Sequence, residues 1–155
     1  MNDRLSKKVA IVTGAGQGIG RGISLLLAAA GAEIAVNDVV AARAQGVVDE
    51  IRAQGGHAIA APFDVTRYDT VVAAVEAIGG ADILVNNAGN AGIGDGFNLK
   101  PLVDTAPADW EPYLRVNLYG VMHCVRAALP AMIAHVESAN GPRKLTGGSL
   151  PSGRS

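Results

Sequence analysis

Apolar and polar positions alternate along this chain in blocks that predict strands and helices in turn. Short apolar runs predict buried strands at four places: Lys8–Val12, Glu33–Asp38, His57–Ala61 and Asp82–Val85. Longer stretches with apolar residues at helical spacing predict helices over Gly18–Ala30, Val40–Gln54, Thr66–Ile78 and, after the fourth strand, about Pro107–His135. Because strand and helix alternate, the pattern predicts a parallel sheet with right-handed crossovers.

Local signals support several of these boundaries. Gly31 is expected to end the first helix, Gly55 and Gly56 to end the second, and Thr66 to cap the start of the third. In the last helix, apolar side chains recur at helical spacing and predict one buried stripe, formed by Leu114, Leu118, Val121, Val125, Leu129 and Met132.

The same pattern divides the chain into two parts. Residues 1–136 are predicted to be one domain, with a loose, glycine-rich stretch from Asn90 to Asp104. Residues 137–155 show neither the period of a strand nor that of a helix, and few of them are apolar. We therefore expect those last residues to form a disordered tail.

Composition and charge narrow the class of protein. Hydrophobic residues make up 49% of the 155 residues and charged residues 17%, which is typical of a folded domain. The net charge of −1 and the lack of long basic runs argue against nucleic acid or an anionic membrane as a partner. The sequence contains one cysteine and no visible signal peptide or membrane-spanning segment, which favours a cytoplasmic protein. It also lacks the residue spacing of a metal site, so no metal is expected.

The first predicted strand leads into a glycine-rich turn, Thr13-Gly14-Ala15-Gly16-Gln17-Gly18-Ile19-Gly20. Glycine lets the backbone approach a ligand closely, and the helix that follows directs free N–H groups and its positive dipole end at that ligand. An anion such as a dinucleotide pyrophosphate suits this place. The glycines have the spacing Thr-Gly-x-x-x-Gly-x-Gly. The alternative to a nucleotide-binding turn is an ordinary glycine-rich βα turn that binds no ligand.

Polar residues at the ends of two later strands add to this signal. Asp38 ends the second strand, where a carboxylate can accept hydrogen bonds from both ribose hydroxyls and repel a 2′-phosphate. It therefore favours NAD and disfavours NADP, and Arg43 would bind a phosphate only if Asp38 turned away. Asn86-Asn87-Ala88-Gly89 follows the fourth strand, and its small residues permit close passage of a cofactor.

Together these residues resemble the short-chain dehydrogenase/reductase family over about Lys7 to His135. The resemblance implies an α/β, Rossmann-like doubly wound parallel sheet of strand order 3-2-1-4, with an incomplete second half. It implies hydride transfer between NAD(P) and a small alcohol or carbonyl substrate. The cofactor contacts that it implies are Gly14, Gln17, Gly18, Ile19, Gly20, Asp38, Asp64, Val65, Asn87, Ala88 and Gly89.

Two of the implied roles have simple structural alternatives. Asp64-Val65 is implied to lie beside the adenine ring, and the alternative for Asp64 is a capping acid of the next helix. Asn117 is implied to position a water in a proton relay to the catalytic lysine, and the alternative is a polar residue on an exposed helix face. We favour the family role for Asn117, because it shares a helix face with Leu114 and Val121.

The catalytic residues of that family do not occur in this chain. Members use a serine and a Tyr-x-x-x-Lys pair, in which the lysine lowers the pKa of the tyrosine. Four residues after Tyr68, Tyr113 and Tyr119 stand Val72, Asn117 and His123. We therefore expect a truncated reading frame, or a frame shifted after about His135, which translation of the downstream DNA in all three frames would test.

Loss of the later strands would leave apolar surface without a partner. Asp82–Val85 is expected to be an exposed sheet edge, and the long helix to be partly uncovered, so we expect a homo-oligomer or aggregation. A nucleotide-binding fragment without turnover is the main alternative function. A third is an S-adenosylmethionine-dependent methyltransferase, because Gly14-x-Gly16-x-Gly18 mimics its glycine turn, although Val12 stands where that family has an acid.

Overall fold

The computed structural model describes residues 4–89 and 100–138, which form a four-stranded parallel sheet covered by helices on both faces. The strands are β1 (Val9–Val12), β2 (Glu33–Val36), β3 (His57–Ala60) and β4 (Ile83–Val85), in the order β3-β2-β1-β4. The helices are α1 (Gly18–Ala29), α2 (Ala41–Ala53), α3 (Tyr68–Ile78), α4 (Glu111–Leu114) and α5 (Val121–Ser138). The predicted α/β class and strand order are confirmed.

The sheet separates two hydrophobic clusters, one on each face. One cluster lies between the sheet and helices α3 and α5. The sheet contributes Val9, Ile11 and Ala35, and the helices contribute Val71, Ala74, Val75, Ile78 and Cys124. On the other face Ala10, Val12, Ile34 and Val36 pack towards α1 and α2, where they meet Ile23, Leu27, Ala44, Val47, Val48 and Ile51. Because β1 and β2 are covered on both sides, they read as continuous apolar runs without alternation.

The predicted element boundaries agree with the structure to within two residues at most ends. Gly31, with φ of 96°, follows α1 as expected. The prediction that Thr66 caps α3 is wrong, because that helix begins at Tyr68 with Arg67 at the N-cap. Thr66 instead donates its N–H and its hydroxyl to Asp64 Oδ1, both at 2.8 Å, and so forms a turn ahead of the helix.

The predicted long helix is present, but its geometry is not uniform. A 3₁₀ turn at Pro107–Trp110 leads into α4, a π-helical segment follows at Arg115–Gly120, and α5 continues to Ser138. We call this whole run the long helix. A π turn contains one more residue than an α turn, so it shifts the alignment of side chains before and after it.

The predicted buried stripe of the long helix is wrong. Leu118 and Leu129 are 47% and 45% exposed, and Leu114 and Val125 are exposed as well. Among the side chains described in the long helix, the buried positions are instead the small residues Gly120, Cys124 and Ala128. Gly120 packs against Val65, and Cys124 lies in the cluster that α5 shares with α3. Burial raises the pKa of the Cys124 thiol to about 11, so the thiol stays protonated and unreactive at neutral pH.

The long helix also bears on the expectation that no segment spans a membrane. Among the described residues one helical stretch, Pro107–His135, has the length and apolar composition of a membrane span. Core helices of soluble proteins meet the same criterion, and in this fold α5 packs against α3 and β4.

Two sequence predictions fall on residues outside those described. They are the disordered tail, of which residues 139–155 are not described, and most of the glycine-rich stretch, at residues 90–99. Since α5 ends at Ser138, the helix crosses the expected domain boundary at residue 136.

Candidate functional site

The carboxyl ends of β1 and β4 are joined by a hydrogen-bond network around Thr13. The Thr13 side chain is 1% exposed, and its Oγ1 accepts the N–H groups of Asn87 and Ala88, both at 3.0 Å, and lies 3.3 Å from the Val85 carbonyl oxygen. In return, Asn87 Nδ2 donates to the carbonyl oxygens of Thr13 at 2.9 Å and Gly14 at 3.0 Å. The glycine turn and the Asn86–Gly89 segment are therefore one rigid unit.

Two glycines are required by the close packing inside this unit. A Cβ on Gly14, whose φ is +60°, would lie 2.8 Å from Ala88 Cα. A Cβ on Gly20 would lie 2.4 Å from Asn87 Nδ2 and 2.5 Å from the Gly14 carbonyl oxygen. Side chains at either position would push the turn away from the segment after β4, so these glycines position the start of α1.

The outer side of the turn is open. Gly18 has φ of +55° and no neighbouring atom within 4 Å of its Cβ position, and Ile19 beside it is 78% exposed. Gln17, the N-cap residue of α1, is exposed and makes no side-chain capping hydrogen bond, and the first turn of the helix carries no acidic residue. The first N–H groups of α1 therefore face an open glycine surface, which fits the phosphates of a dinucleotide.

Asp38 lies against the inner side of the glycine turn. Its Oδ2 accepts the Gly16 N–H at 3.2 Å, its Oδ1 accepts the Val40 N–H at 2.9 Å, and the residue is only 6% exposed. The Asp38 side chain therefore points at the glycine turn. Arg43 was expected to bind a phosphate only if Asp38 pointed elsewhere, and this condition is not met. Since a carboxylate has about four acceptor positions, two backbone contacts leave capacity for hydroxyl donors.

Asn37 belongs to this site and was not predicted from the sequence. It is 1% exposed, its Oδ1 accepts the Gly14 N–H at 3.3 Å, and its Nδ2 donates to the carbonyl oxygens of Ala61 at 3.0 Å and Phe63 at 2.9 Å. One amide thus joins the ends of β1, β2 and β3. Its position next to Asp38 at a strand end is the only sequence signal for it.

Asp64 and Val65 lie at the end of the segment that follows β3. Asp64 is half-buried and fixes the turn before α3 through Thr66, while its carbonyl oxygen accepts the Thr70 hydroxyl at 3.0 Å. Val65 is buried beneath the long helix. The capping alternative for Asp64 thus describes part of its role: its carboxylate holds the turn before α3, and its carbonyl oxygen accepts a side chain of the first turn of that helix.

The structure brings Asn117 next to the segment after β4. Asn117 lies in the π-helical segment, and its Oδ1 is 3.3 Å from the position of a Cβ on Gly89. The predicted reason for its placement is wrong, since Asn117 is exposed and does not lie on a buried face with Leu114 and Val121. π-Helical turns occur frequently at functional sites, because the extra residue changes the direction in which a side chain points.

The fold and these contacts define a Rossmann-like α/β protein with its candidate site at the carboxyl edge of the sheet. The sequence model of the short chain dehydrogenase family matches residues 8–142. The chain therefore belongs to the short-chain dehydrogenase family. This membership also argues against the methyltransferase alternative.

Individual relatives agree with the family match. The chain is 40% identical to the short-chain dehydrogenase/reductase eriH of Hericium erinaceus, over 94% of this chain and 57% of the relative. A gluconate 5-dehydrogenase from Burkholderia cenocepacia J2315, solved with NADP and tartrate, superposes with a TM-score of 0.76 at 38% identity, covering 86% of this chain and 52% of that one. A 7α-hydroxysteroid dehydrogenase, solved with NADH and 7-oxo glycochenodeoxycholic acid, superposes with a TM-score of 0.75 at 38% identity, covering 86% and 51%.

The chain spans about half the length of the relatives that it matches. The two solved relatives contain different nicotinamide cofactors, NADP and NADH, so membership of the family leaves the choice between the two cofactors to local contacts.

Proposed function

We propose that this chain forms the NAD-binding part of a cytoplasmic short-chain oxidoreductase that acts on a small alcohol or carbonyl compound. The observation that carries the proposal is the contact between Asp38 and the glycine turn. The Asp38 carboxylate is fixed to the Gly16 N–H at 3.2 Å, and an acidic residue after the second strand binds the adenosine ribose in dinucleotide-binding folds, which supports this role for Asp38.

Each part of the dinucleotide has a candidate partner in the described residues. The pyrophosphate would lie over the glycine turn, at Gly14, Gln17, Gly18, Ile19 and Gly20. The Asp38 carboxylate would accept the ribose hydroxyls, and Asp64-Val65 would flank the adenine. Asn87, Ala88 and Gly89 would lie along the nicotinamide riboside, with Asn117 beside them. When bound, the cofactor would accept a hydride from an alcohol or donate one to a carbonyl compound, and these residues would bind and orient the cofactor.

NAD is the preferred cofactor in this proposal because of charge. The 2′-phosphate of NADP would meet the buried Asp38 carboxylate, and two like charges in contact at a desolvated place repel strongly. The side chain of Arg43, which carries the opposite charge, starts beside the glycine turn, since its Cβ lies 2.6 Å from the Cβ position of Gly16. The Asp38 carboxylate lies on the same side of that glycine, so it opposes any phosphate that approaches Arg43 there.

We expect these 155 residues to bind NAD without catalysing hydride transfer. The proton transfer that accompanies hydride transfer needs an acid–base group, and no tyrosine of this chain has a lysine four residues later. This expectation keeps the nucleotide-binding fragment without turnover as the second candidate function.

Calorimetric titration of the purified chain with NAD and with NADP tests the proposal. We expect NAD to bind more tightly than NADP, and Asp38→Asn to weaken NAD binding about tenfold while reducing the preference over NADP, because a charged acceptor is lost. Asp49→Asn, at an exposed position on α2, is the control and should bind like the wild type.

Two results would contradict the proposal in different ways. Equal binding of NAD and NADP by the wild type would contradict the role of Asp38 in cofactor choice. If the wild type bound neither dinucleotide, the proposed binding site itself would be refuted. Reduction of NAD with a panel of secondary alcohols measures turnover, and rapid reduction by the purified chain would refute the expectation of binding without catalysis.

A further inference from the structure

The long helix contacts the Asp64-Val65 segment at two successive turns. A Cβ on Gly120 would lie 2.8 Å from Val65 Cγ2, so the valine side chain packs directly on the helix backbone. One turn later, His123 Nδ1 lies 2.9 Å from the Val65 carbonyl oxygen. Since a carbonyl oxygen only accepts hydrogen bonds, Nδ1 carries the proton and donates it to Val65.

The His123 imidazole contacts the ring of Tyr68, which is in turn held by Arg126. The Tyr68 ring, at the first residue of α3, lies with its centroid 5.4 Å from the imidazole centroid. Arg126 Nε donates to the Tyr68 hydroxyl at 3.1 Å, and its guanidinium lies over the same ring. His123, Tyr68 and Arg126 thus form one cluster that joins α5 to the start of α3, immediately beside Val65.

The Asp64-Val65 segment is therefore fixed from three sides. Asn37 holds the preceding Phe63 carbonyl oxygen at 2.9 Å, and the Asp64 carboxylate is bound in the Thr66 turn. The Val65 carbonyl oxygen, in the middle of the segment, is held by His123. Of these three contacts only that of His123 comes from the long helix, the element that also carries Asn117.

We propose that His123 is a positioning residue for the adenine end of the nucleotide site. By holding the Val65 carbonyl, it fixes the direction of the Asp64 carboxylate towards the exocyclic amine of a bound adenine. This inference rests on the proposed function, in which Asp64-Val65 flanks the adenine of NAD. It gives the long helix a role at each end of the cofactor, indirectly through His123 at the adenine and through Asn117 at the nicotinamide riboside.

The test compares NAD with nicotinamide hypoxanthine dinucleotide, in which an oxygen replaces the exocyclic amine of adenine. We expect the wild type to prefer NAD in calorimetric titrations. His123→Phe keeps a ring of similar shape but cannot donate to Val65, and it should weaken NAD binding about 3- to 10-fold, the range expected for one hydrogen bond. The variant should also lose most of its preference for NAD over the hypoxanthine analogue.

Two amide variants separate positioning from a general effect on stability. The His123→Asn side chain places an amide nitrogen near the Nδ1 position and should restore NAD binding and the preference for adenine. His123→Gln places its amide farther along the side chain, near Nε2, and should behave like His123→Phe. This pair also keeps the test available if the phenylalanine variant does not fold. His57→Phe, on an exposed histidine of β3, is the control and should leave both affinities unchanged.

The outcomes distinguish this inference from the function on which it rests. If the wild type binds NAD and the His123→Phe and His123→Gln variants bind both dinucleotides as the wild type does, the positioning role is overturned and NAD binding stands. Equal weakening of both dinucleotides, with no change in preference, would also overturn it, because it would indicate only a loss of stability. If the wild type does not bind NAD, the proposed function itself fails.

Discussion

At the scale of single residues, Thr13 makes the contacts on which the candidate site depends most. Its buried hydroxyl accepts the N–H groups of Asn87 and Ala88, two half-buried residues of the segment after β4. The Asn87 N–H has a second acceptor in the Val85 carbonyl oxygen, at 3.1 Å. A buried N–H group that loses its acceptor costs about 1–3 kcal/mol. The hydroxyl of Thr13 should therefore contribute more to the free energy of unfolding than its small size indicates.

We predict that Thr13→Val lowers the free energy of unfolding by about 1–3 kcal/mol, because it keeps the shape of the side chain but removes the acceptor of the Ala88 N–H and one of the two acceptors of the Asn87 N–H. It should also weaken NAD binding, since the glycine turn is no longer fixed to Asn87. Urea denaturation and calorimetric titration measure the two effects. Thr13→Ser retains the hydroxyl and should lose less than half as much stability, and equal losses in both variants would refute the role of the hydrogen bonds.

Residues with a distinctive local pattern could be identified from the sequence, whereas residues defined by distant contacts could not. The glycine spacing, Asp38 and Asn86–Gly89 are visible because strand ends and glycine turns follow one another in a regular order. Asn37 was missed because its role depends on backbone groups of Gly14, Ala61 and Phe63, which the fold brings together from three strand ends. No feature within the neighbouring residues of Asn37 encodes that arrangement.

At the scale of helices and strands, the sequence predicts which elements exist better than which faces are buried. The long helix was expected to bury its large apolar side chains, but it buries Gly120, Cys124 and Ala128 instead. Small residues carry a weak hydrophobic signal, and the π turn at Arg115–Gly120 breaks the spacing from which a stripe is inferred. Where two helices pack closely, as α3 and α5 do here, the contact favours residues that a hydrophobic pattern overlooks.

The far end of α5 is attached to the sheet through Asp82, just before β4. The Asp82 carboxylate accepts the Val9 N–H at 2.9 Å, lies 3.0 Å from His135 Nδ1 and pairs with Lys8 Nζ at 3.4 Å. Burial acts to raise the pKa of Asp82, but the Val9 amide, the Lys8 ammonium and His135 together lower it below its usual value. The carboxylate therefore binds its proton less readily in the folded chain than in the unfolded chain.

The lowered pKa of Asp82 makes the stability of the fold depend on pH. Because the folded pKa lies below the unfolded value of about 4, Asp82 stabilises the fold above that pH. The contribution is lost as the pH falls through the folded pKa. We predict that Asp82→Asn is less stable than the wild type at pH 7 and that the difference shrinks at about pH 3, measured by urea denaturation. Asp49→Asn should keep the pH dependence of the wild type, and a constant difference between wild type and Asp82→Asn would contradict the assignment.

At the scale of the whole molecule, the described sheet ends at β4 and the long helix presents apolar side chains to solvent. β4 pairs only with β1 among the described strands, and its three residues are half-buried. On α5 the exposed residues include Met122, Val125, Leu129 and Ile133, which line a shallow groove with His123 and Arg126. Contiguous apolar surface of this kind favours association. The association expected from the sequence therefore stays a prediction.

We predict that the purified chain associates through the exposed apolar face of α5. Leu129 and Ile133 lie one helical turn apart and are 45% and 48% exposed, so replacing both with glutamate costs little folding energy but places charge in any apolar contact. Light scattering should give the wild type a mass above the 15.7 kDa of a single chain and give the Leu129→Glu/Ile133→Glu variant a mass close to it. Leu26→Glu, on α1 at a side chain that is 73% exposed, introduces the same charge elsewhere and should associate like the wild type. A monodisperse wild-type monomer would refute the prediction, and dissociation of the Leu26→Glu control would show that association depends on net charge rather than on this face of α5.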